Sequence, residues 1–128
     1  MFTDSKKTLL LVDDDRDQLD LRKIILEMSG YKVLTAVNAS FAMQLFKAHV
    51  PDAVILDYEM PAVNGEMLAG WMRNANPHVP ILMLSGCVSL PNNARRLVDT
   101  FVSKDSAPLF LLSTIERLTQ RRQLQTLA

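Results

Sequence analysis

The chain holds one cysteine, Cys87, so no internal disulfide can form and a reducing compartment fits. It has no excess of charge: Lys plus Arg and Asp plus Glu each number 14. Bulk electrostatics therefore imply neither nucleic acid nor an anionic membrane as a partner. No apolar run is long enough to span a bilayer. The N-terminal run Thr8-Leu9-Leu10-Leu11-Val12 stops at Asp13, too soon for the layout of a signal peptide. Repeats, low-complexity tracts and long linkers are missing as well. The expectation is a cytoplasmic protein of one domain, residues 1–128 with a core at about 8–118, long enough to bury that core without staples.

Short apolar runs alternate with helical patterns. Residues 8–12 read as a buried strand, and the aspartates after them offer N-cap oxygens to a helix over about 16–28, with Leu21, Ile24, Ile25 and Met28 on one face. Gly30 stands where a left-handed residue would end that helix. Residues 31–36 form a second strand. Asn38 or Ser40 can cap a helix carrying Ala42, Leu45 and Phe46, and Pro51 stops it. Residues 53–56 form a third strand. The turn signal Asn64-Gly65 precedes a helix to about Arg73, with Leu68, Trp71 and Met72 inward. Gly70 within it points to close packing or to a weak helix. Residues 81–84 are a fourth strand, ending at Ser85-Gly86, and Pro91 opens a short helix ending near Val98. Residues 100–103 are the fifth strand, ending at Lys104. Ser106 can cap a last helix that buries Leu111, Ile115 and Leu118. Five β-α units in series predict an α/β fold of three layers, with a parallel sheet between helices and right-handed crossovers.

In such sheets ligands bind beyond the carboxyl ends of the strands. Four of the five ends carry polar groups: Asp13-Asp14-Asp15, Asp57, Ser85 and Lys104. Carboxylates brought together there repel by about 4 kcal/mol per pair at 4 Å for an effective dielectric near 20. A divalent cation, or a proton on one acid, makes such a cluster tolerable. This points to metal-assisted chemistry at Asp57.

Asp13-Asp14 after the first strand, Asp57 in Asp57-x-x-Met60-Pro61-x-x-x-Gly65, Ser85 after the fourth strand and Lys104 after the fifth resemble the signature of the receiver domains of two-component response regulators. The resemblance covers residues 8 to about 118. It implies a flavodoxin-like, CheY-like sheet in the order 2-1-3-4-5. It further implies that Asp57 accepts a phosphoryl group from a phosphohistidine of a sensor histidine kinase or phosphotransfer protein, with Mg²⁺ as cofactor. Asp14 would bind the metal directly, Asp13 through water, and Asp57 and the backbone carbonyl of Glu59 would complete the protein ligands. Ser85 and Lys104 would take phosphoryl oxygens, and Phe101 would stand as the switch aromatic. The chain would act as a stand-alone signalling phosphoacceptor, not an enzyme on other substrates, and present an altered surface to a downstream protein that the sequence does not name. Neither nucleic acid nor a membrane is expected as a direct partner.

Several residues depart from that pattern. Asp105 follows Lys104 where proline is common, and its carboxylate would compete for the lysine's charge. Ser85 replaces the more frequent threonine, and Phe101 has no hydroxyl. The stretch from Cys87 to Asp99 is short, so the fourth helix is expected to be stunted, with consequences for partner choice. Glu59 and Cys87 would flank the path of attack. Two other readings stand beside this one. A receiver fold can serve as a binding module without phosphorylation. Asp13-x-Asp15 also resembles the start of haloacid-dehalogenase-type phosphatases, although the Gly-Thr that usually follows and the late paired acids are missing.

Overall fold

The computed structural model describes residues 6–86 and 90–127, with side chains through Gln120. The elements run β1 (Thr8–Val12), α1 (Arg16–Met28), β2 (Lys32–Ala36), α2 (Ala39–His49), β3 (Ala53–Asp57), α3 (Gly65–Ala75), β4 (Ile81–Ser85), α4 (Asn92–Leu97), β5 (Thr100–Ser103) and α5 (Pro108–Leu127). The strands form one parallel sheet in the order β2-β1-β3-β4-β5. No helix among the described residues is long and apolar enough to cross a membrane.

The continuous apolar runs are strands buried on both faces. Alternate residues of each run serve opposite layers: Leu10, Val12, Val54, Leu56, Ile81 and Met83 pack with the α2, α3 and α4 side, while Leu9, Leu11, Ile55, Leu82 and Leu84 pack with Leu19 and Leu26 of α1 and Ile115 and Leu118 of α5. Each such side chain, removed from water, contributes about 1.5–3 kcal/mol. Caps fix where the helices start. Asp15 accepts from the Asp17 and Gln18 N–H groups, Asn38 from Phe41 and Asn64 from Met67. Gly30, at φ 99°, follows α1 in the left-handed conformation that side chains resist.

Three local expectations are corrected. On α1, Leu19 and Leu26 are the buried residues, whereas Leu21, Ile24 and Met28 are more than half exposed. The inward stripe runs Leu19, Arg22, Leu26, with a cation where apolar periodicity alone looks for a leucine. On α3, Trp71 is 43% exposed, and the buried stripe runs Gly65, Leu68, Ala69 and Met72 at i, i+3, i+4 and i+7, which leaves Trp71 to one side. At α5 the carbonyl of Ala107, not Ser106, receives the first-turn N–H groups of Phe110 and Leu111.

The fourth helix is short, six residues. Arg73 of α3 ties the end of α4 to the connection between α3 and β4. Its guanidinium donates to the carbonyls of Leu97 at 2.8 Å, Pro77 at 3.1 Å and Val79 at 3.0 Å, and pairs with Asp99. The Asp99 carboxylate in turn accepts from the Ile81 N–H at 2.7 Å. One charged fork thus satisfies carbonyls before β4 and at the end of α4.

Gly65 is the tight point of the fold. A Cβ there would lie 2.6 Å from the Asp57 carbonyl oxygen, 2.8 Å from Tyr58 Cα and 2.9 Å from Met83 Sδ. Two of these neighbours are backbone and cannot step aside. Gly70 has room, since its Cβ would meet only Leu97 Cδ1 at 3.9 Å. The close-packing expectation therefore belongs to Gly65, and Gly70 only weakens its helix. Gly65→Ala is expected to destabilise by about 2–3 kcal/mol, while Gly70→Ala stabilises by up to about 1 kcal/mol. Urea unfolding of the two variants checks both signs.

Candidate functional site

Strand register sets the site. Val12 pairs with Leu56 and Asp57 with Leu84, so Asp13 and Asp57 leave adjacent strands at the same level. Ser85 pairs with Ser103, which puts Lys104 one step beyond. The ladder continues past the strand ends: the Asp13 N–H donates to the Ala36 carbonyl, Tyr58 to Leu84 and Lys104 to Ser85. Each loop therefore departs from a fixed height, and its first side chain is held by backbone.

At that edge the acids converge. One carboxylate oxygen from each of Asp13, Asp14 and Asp57 lies within 4.8 Å of the others, with Asp13 and Asp57 buried and Asp14 exposed. Lys104 Nζ donates to Asp57 Oδ1 at 2.7 Å, and the Glu59 N–H reaches the same oxygen at 3.2 Å. A cleft of about 450 Å³ lies over these groups, bordered also by Asp15, Gln18, Arg22 and Glu59. Three carboxylates this close, facing open space, form a set of hard oxygen donors suited to Mg²⁺, which prefers one or two carboxylates and keeps several waters.

The electrostatics agree with crowding. Burial pushes the Asp57 carboxyl up to about 6. Lys104 pulls it back toward the charged form, and the neighbouring Asp13 adds to the rise. Partial burial works against the Lys104 ammonium, but Asp57 foremost, then Asp13 and Glu59, outweigh it and raise its pKa.

Two residues do more than the sequence suggested. Arg22 reaches from the inward face of α1 and donates through Nη1 to Asp13 Oδ2 at 2.8 Å; the other Asp13 oxygen accepts from the Asp15 N–H at 2.9 Å. An arginine at i+3 from one core leucine and i−4 from the next, just after an acidic strand end, was the available signal. The Glu59 carboxylate, expected only to flank the site, accepts from the Ser85 hydroxyl at 2.5 Å and the Gly86 N–H at 3.0 Å, and stands 3.5 Å from Lys104 Nζ. Burial opposes its charge, yet Gly86, Ser85 and Lys104 together hold its carboxyl below the usual range. Glu59, not Asp105, is thus the carboxylate that competes for Lys104. Asp105 is exposed, and its N–H donates to Ser103 Oγ at 3.2 Å. Phe101 is half-buried on β5, packed against the α2, α3 and α4 layer. Cys87 lies outside the described residues.

Residues 9–116 match the family model for the response regulator receiver domain. The transcriptional regulatory protein PrrA of Mycobacterium tuberculosis is 31% identical over 117 residues, covering 89% of this chain and 50% of that protein. The chain thus spans about half the length of this curated relative. A CheY-like receiver domain protein from Methanospirillum hungatei superposes with a TM-score of 0.89 at 27% identity, over 94% of this chain and 99% of that one. The response regulator TrrA of Thermotoga maritima, solved in complex with Mg(2+)-BeF, gives 0.82 at 30% identity, over 88% and 98% of the two chains.

The raised Asp57 carboxyl has a consequence for the metal-free protein. The folded chain holds this proton more tightly than the unfolded chain, whose aspartate titrates near 3.8. Its contribution to stability is therefore fully present below about pH 3.8 and is lost as the pH rises through about 6. A cation on the same carboxylates competes with the proton. Added Mg²⁺ is expected to raise Tm clearly at about pH 7.5 and much less at about pH 5. Thermal unfolding with Mg²⁺ and with chelator at both pH values checks this; equal shifts at both would contradict the site.

Proposed function

The chain belongs to the response regulator receiver domain family, and we propose that it accepts a phosphoryl group on Asp57 in a Mg²⁺-dependent reaction. The donor is a phosphohistidine on a sensor histidine kinase or a phosphotransfer protein. The observation that carries this reading is the Lys104–Asp57 ion pair at 2.7 Å beside the Asp13–Asp14–Asp57 group, all at the carboxyl edge of the sheet.

In the reaction, an Asp57 carboxylate oxygen attacks phosphorus as the bond from phosphorus to the histidine nitrogen breaks. The electron pair leaves with the imidazole. Asp57 must be ionised to attack, and Lys104 favours that form. Charge spreads over the three equatorial oxygens during transfer, so catalysis is mostly positioning and electrostatics. Lys104 and Ser85 supply an ammonium and a hydroxyl to those oxygens. Asp13, Asp14, Asp57 and the Glu59 carbonyl would hold Mg²⁺, which when bound neutralises charge on the transferring group. Asp13 is assigned to the metal, not to covalent chemistry, so a haloacid-dehalogenase-type phosphatase is not the preferred reading.

Phosphorylation adds about 1.5–2 negative charges, by analogy with other phosphorylated side chains. Ser85 and Lys104 are then drawn toward Asp57, and the loops that carry them shift. Phe101, three residues before Lys104 on β5, is half-buried, which supports a role in passing that shift to the surface. The chain works as one receiver unit that promotes only its own phosphorylation and dephosphorylation, and its output is a changed surface for a protein partner.

Incubation with Mg²⁺ and acetyl phosphate should give one phosphoryl adduct by intact mass. Asp57→Asn should give none, chelation should remove it, and Lys104→Met should slow it by about tenfold or more. An adduct on Asp57→Asn as strong as on the parent would rule Asp57 out.

A further inference from the structure

We propose that Arg22 and Glu59 are the chain's own stand-ins for the two ligands of this site. Arg22 holds Asp13 as a cation would, and Glu59 fills the donors that phosphoryl oxygens would take, so each side chain sets the threshold at which one ligand enters. The Arg22 half rests on the acidic group alone. The Glu59 half rests on the phosphoacceptor reading of Asp57.

Arg22 stands on the buried stripe of α1, with 16% of its side chain exposed, and its partner Asp13 is more buried still. Salt screens such a pair weakly. The guanidinium is permanently charged and cannot withdraw by losing a proton. In the metal-free site it relieves the repulsion among Asp13, Asp14 and Asp57. Once a divalent cation arrives, the same positive charge repels it and holds one of its carboxylates. Arg22 thus stabilises the acidic group by itself and raises the metal concentration needed to bind there.

Glu59 acts on the other ligand. The Glu59 carboxylate borders the cleft and meets three donors, Ser85 Oγ, the Gly86 N–H and Lys104 Nζ. An incoming phosphoryl group meets donors already engaged and a resident anion of its own sign. The Glu59 side chain is 40% exposed, so it can turn out to solvent without breaking the core. It is an occupant that can be displaced, and the displacement slows entry.

The two halves make different predictions for the metal, and tighter binding on the Arg22 variants is not what a general loss of structure gives. Mg²⁺ affinity is measured by calorimetry on the full chain, with metal-free Tm alongside, for the parent, Arg22→Met, Arg22→Gln and Glu59→Gln. The initial rate of adduct formation from acetyl phosphate is then taken at saturating Mg²⁺ for the parent and Glu59→Gln. Both Arg22 variants are expected to lower the metal-free Tm and to tighten Mg²⁺ by about tenfold, the effect of removing one unit charge a few ångströms away in a wet cleft. Glu59→Gln is expected to leave Mg²⁺ binding unchanged or weaker and to raise the initial rate by at least about threefold. A purely structural Arg22–Asp13 bridge would lower Tm with Mg²⁺ affinity unchanged or reduced, and that result overturns the Arg22 half. Equal or slower adduct formation on Glu59→Gln overturns the Glu59 half. No adduct on either the parent or Glu59→Gln overturns the Asp57 reading and the Glu59 half with it, and leaves the Mg²⁺ comparison to decide Arg22.

Discussion

A carboxylate that is 2% exposed, at the end of the central strand of a sheet, is the constraint around which this molecule is organised. Asp57 cannot be moved to the surface without breaking β3, all five residues of which are buried. Nor can it be left uncompensated, because an isolated buried charge gives way to protonation. Lys104 resolves this from the neighbouring loop of β5. The requirement then propagates. Lys104 reaches Asp57 only if β4 and β5 pair so that Ser85 faces Ser103, and Asp13 meets Asp57 only if Val12 faces Leu56. The loop after Asp57 must also turn back hard against its strand, which is why Gly65 has backbone atoms where a Cβ would be.

These long-range requirements explain why so much was legible in the sequence. The strands are short, uninterrupted apolar runs, and each ends at the residue whose chemistry matters. Position along the chain therefore predicted position in space for Asp13, Asp14, Asp57, Ser85 and Lys104. In a parallel sheet every strand points the same way, so "after the strand" means "at one edge" for all of them. The short α4 could be read from spacing and from Pro91. The family model covers this same stretch, residues 9–116.

The failures share a physical cause. Periodicity counts apolar residues, and it goes astray where a polar residue faces inward for a purpose. On α1 the stripe is centred on Arg22, so a pattern built only from Leu21, Ile24, Ile25 and Met28 chose the wrong face. On α3 the large apolar residue was expected inside, but the buried stripe runs Gly65, Leu68, Ala69 and Met72, and Trp71 lies off it. Glu59 was assigned only its backbone carbonyl and a place beside the path of attack. Where a flexible carboxylate rests depends on donors 26 and 27 residues away, which no local pattern contains.

The charges at the site also make sense as a set. Asp15 can be left aside, because its oxygen caps α1 and the positive end of the helix compensates it. The four remaining carboxylates, Asp13, Asp14, Asp57 and Glu59, face two fixed cations, Lys104 and Arg22. The balance is an excess of about two negative charges, which is the charge one Mg²⁺ carries. A third cation from the chain would halve that excess and weaken the hold on a divalent ion. One cation fewer would leave Asp57 still harder to ionise than its raised pKa already makes it. The pairing of Arg22 with Asp13 and of Lys104 with Asp57 thus leaves Asp57 able to ionise and leaves the group with a residual negative charge that suits a divalent ion.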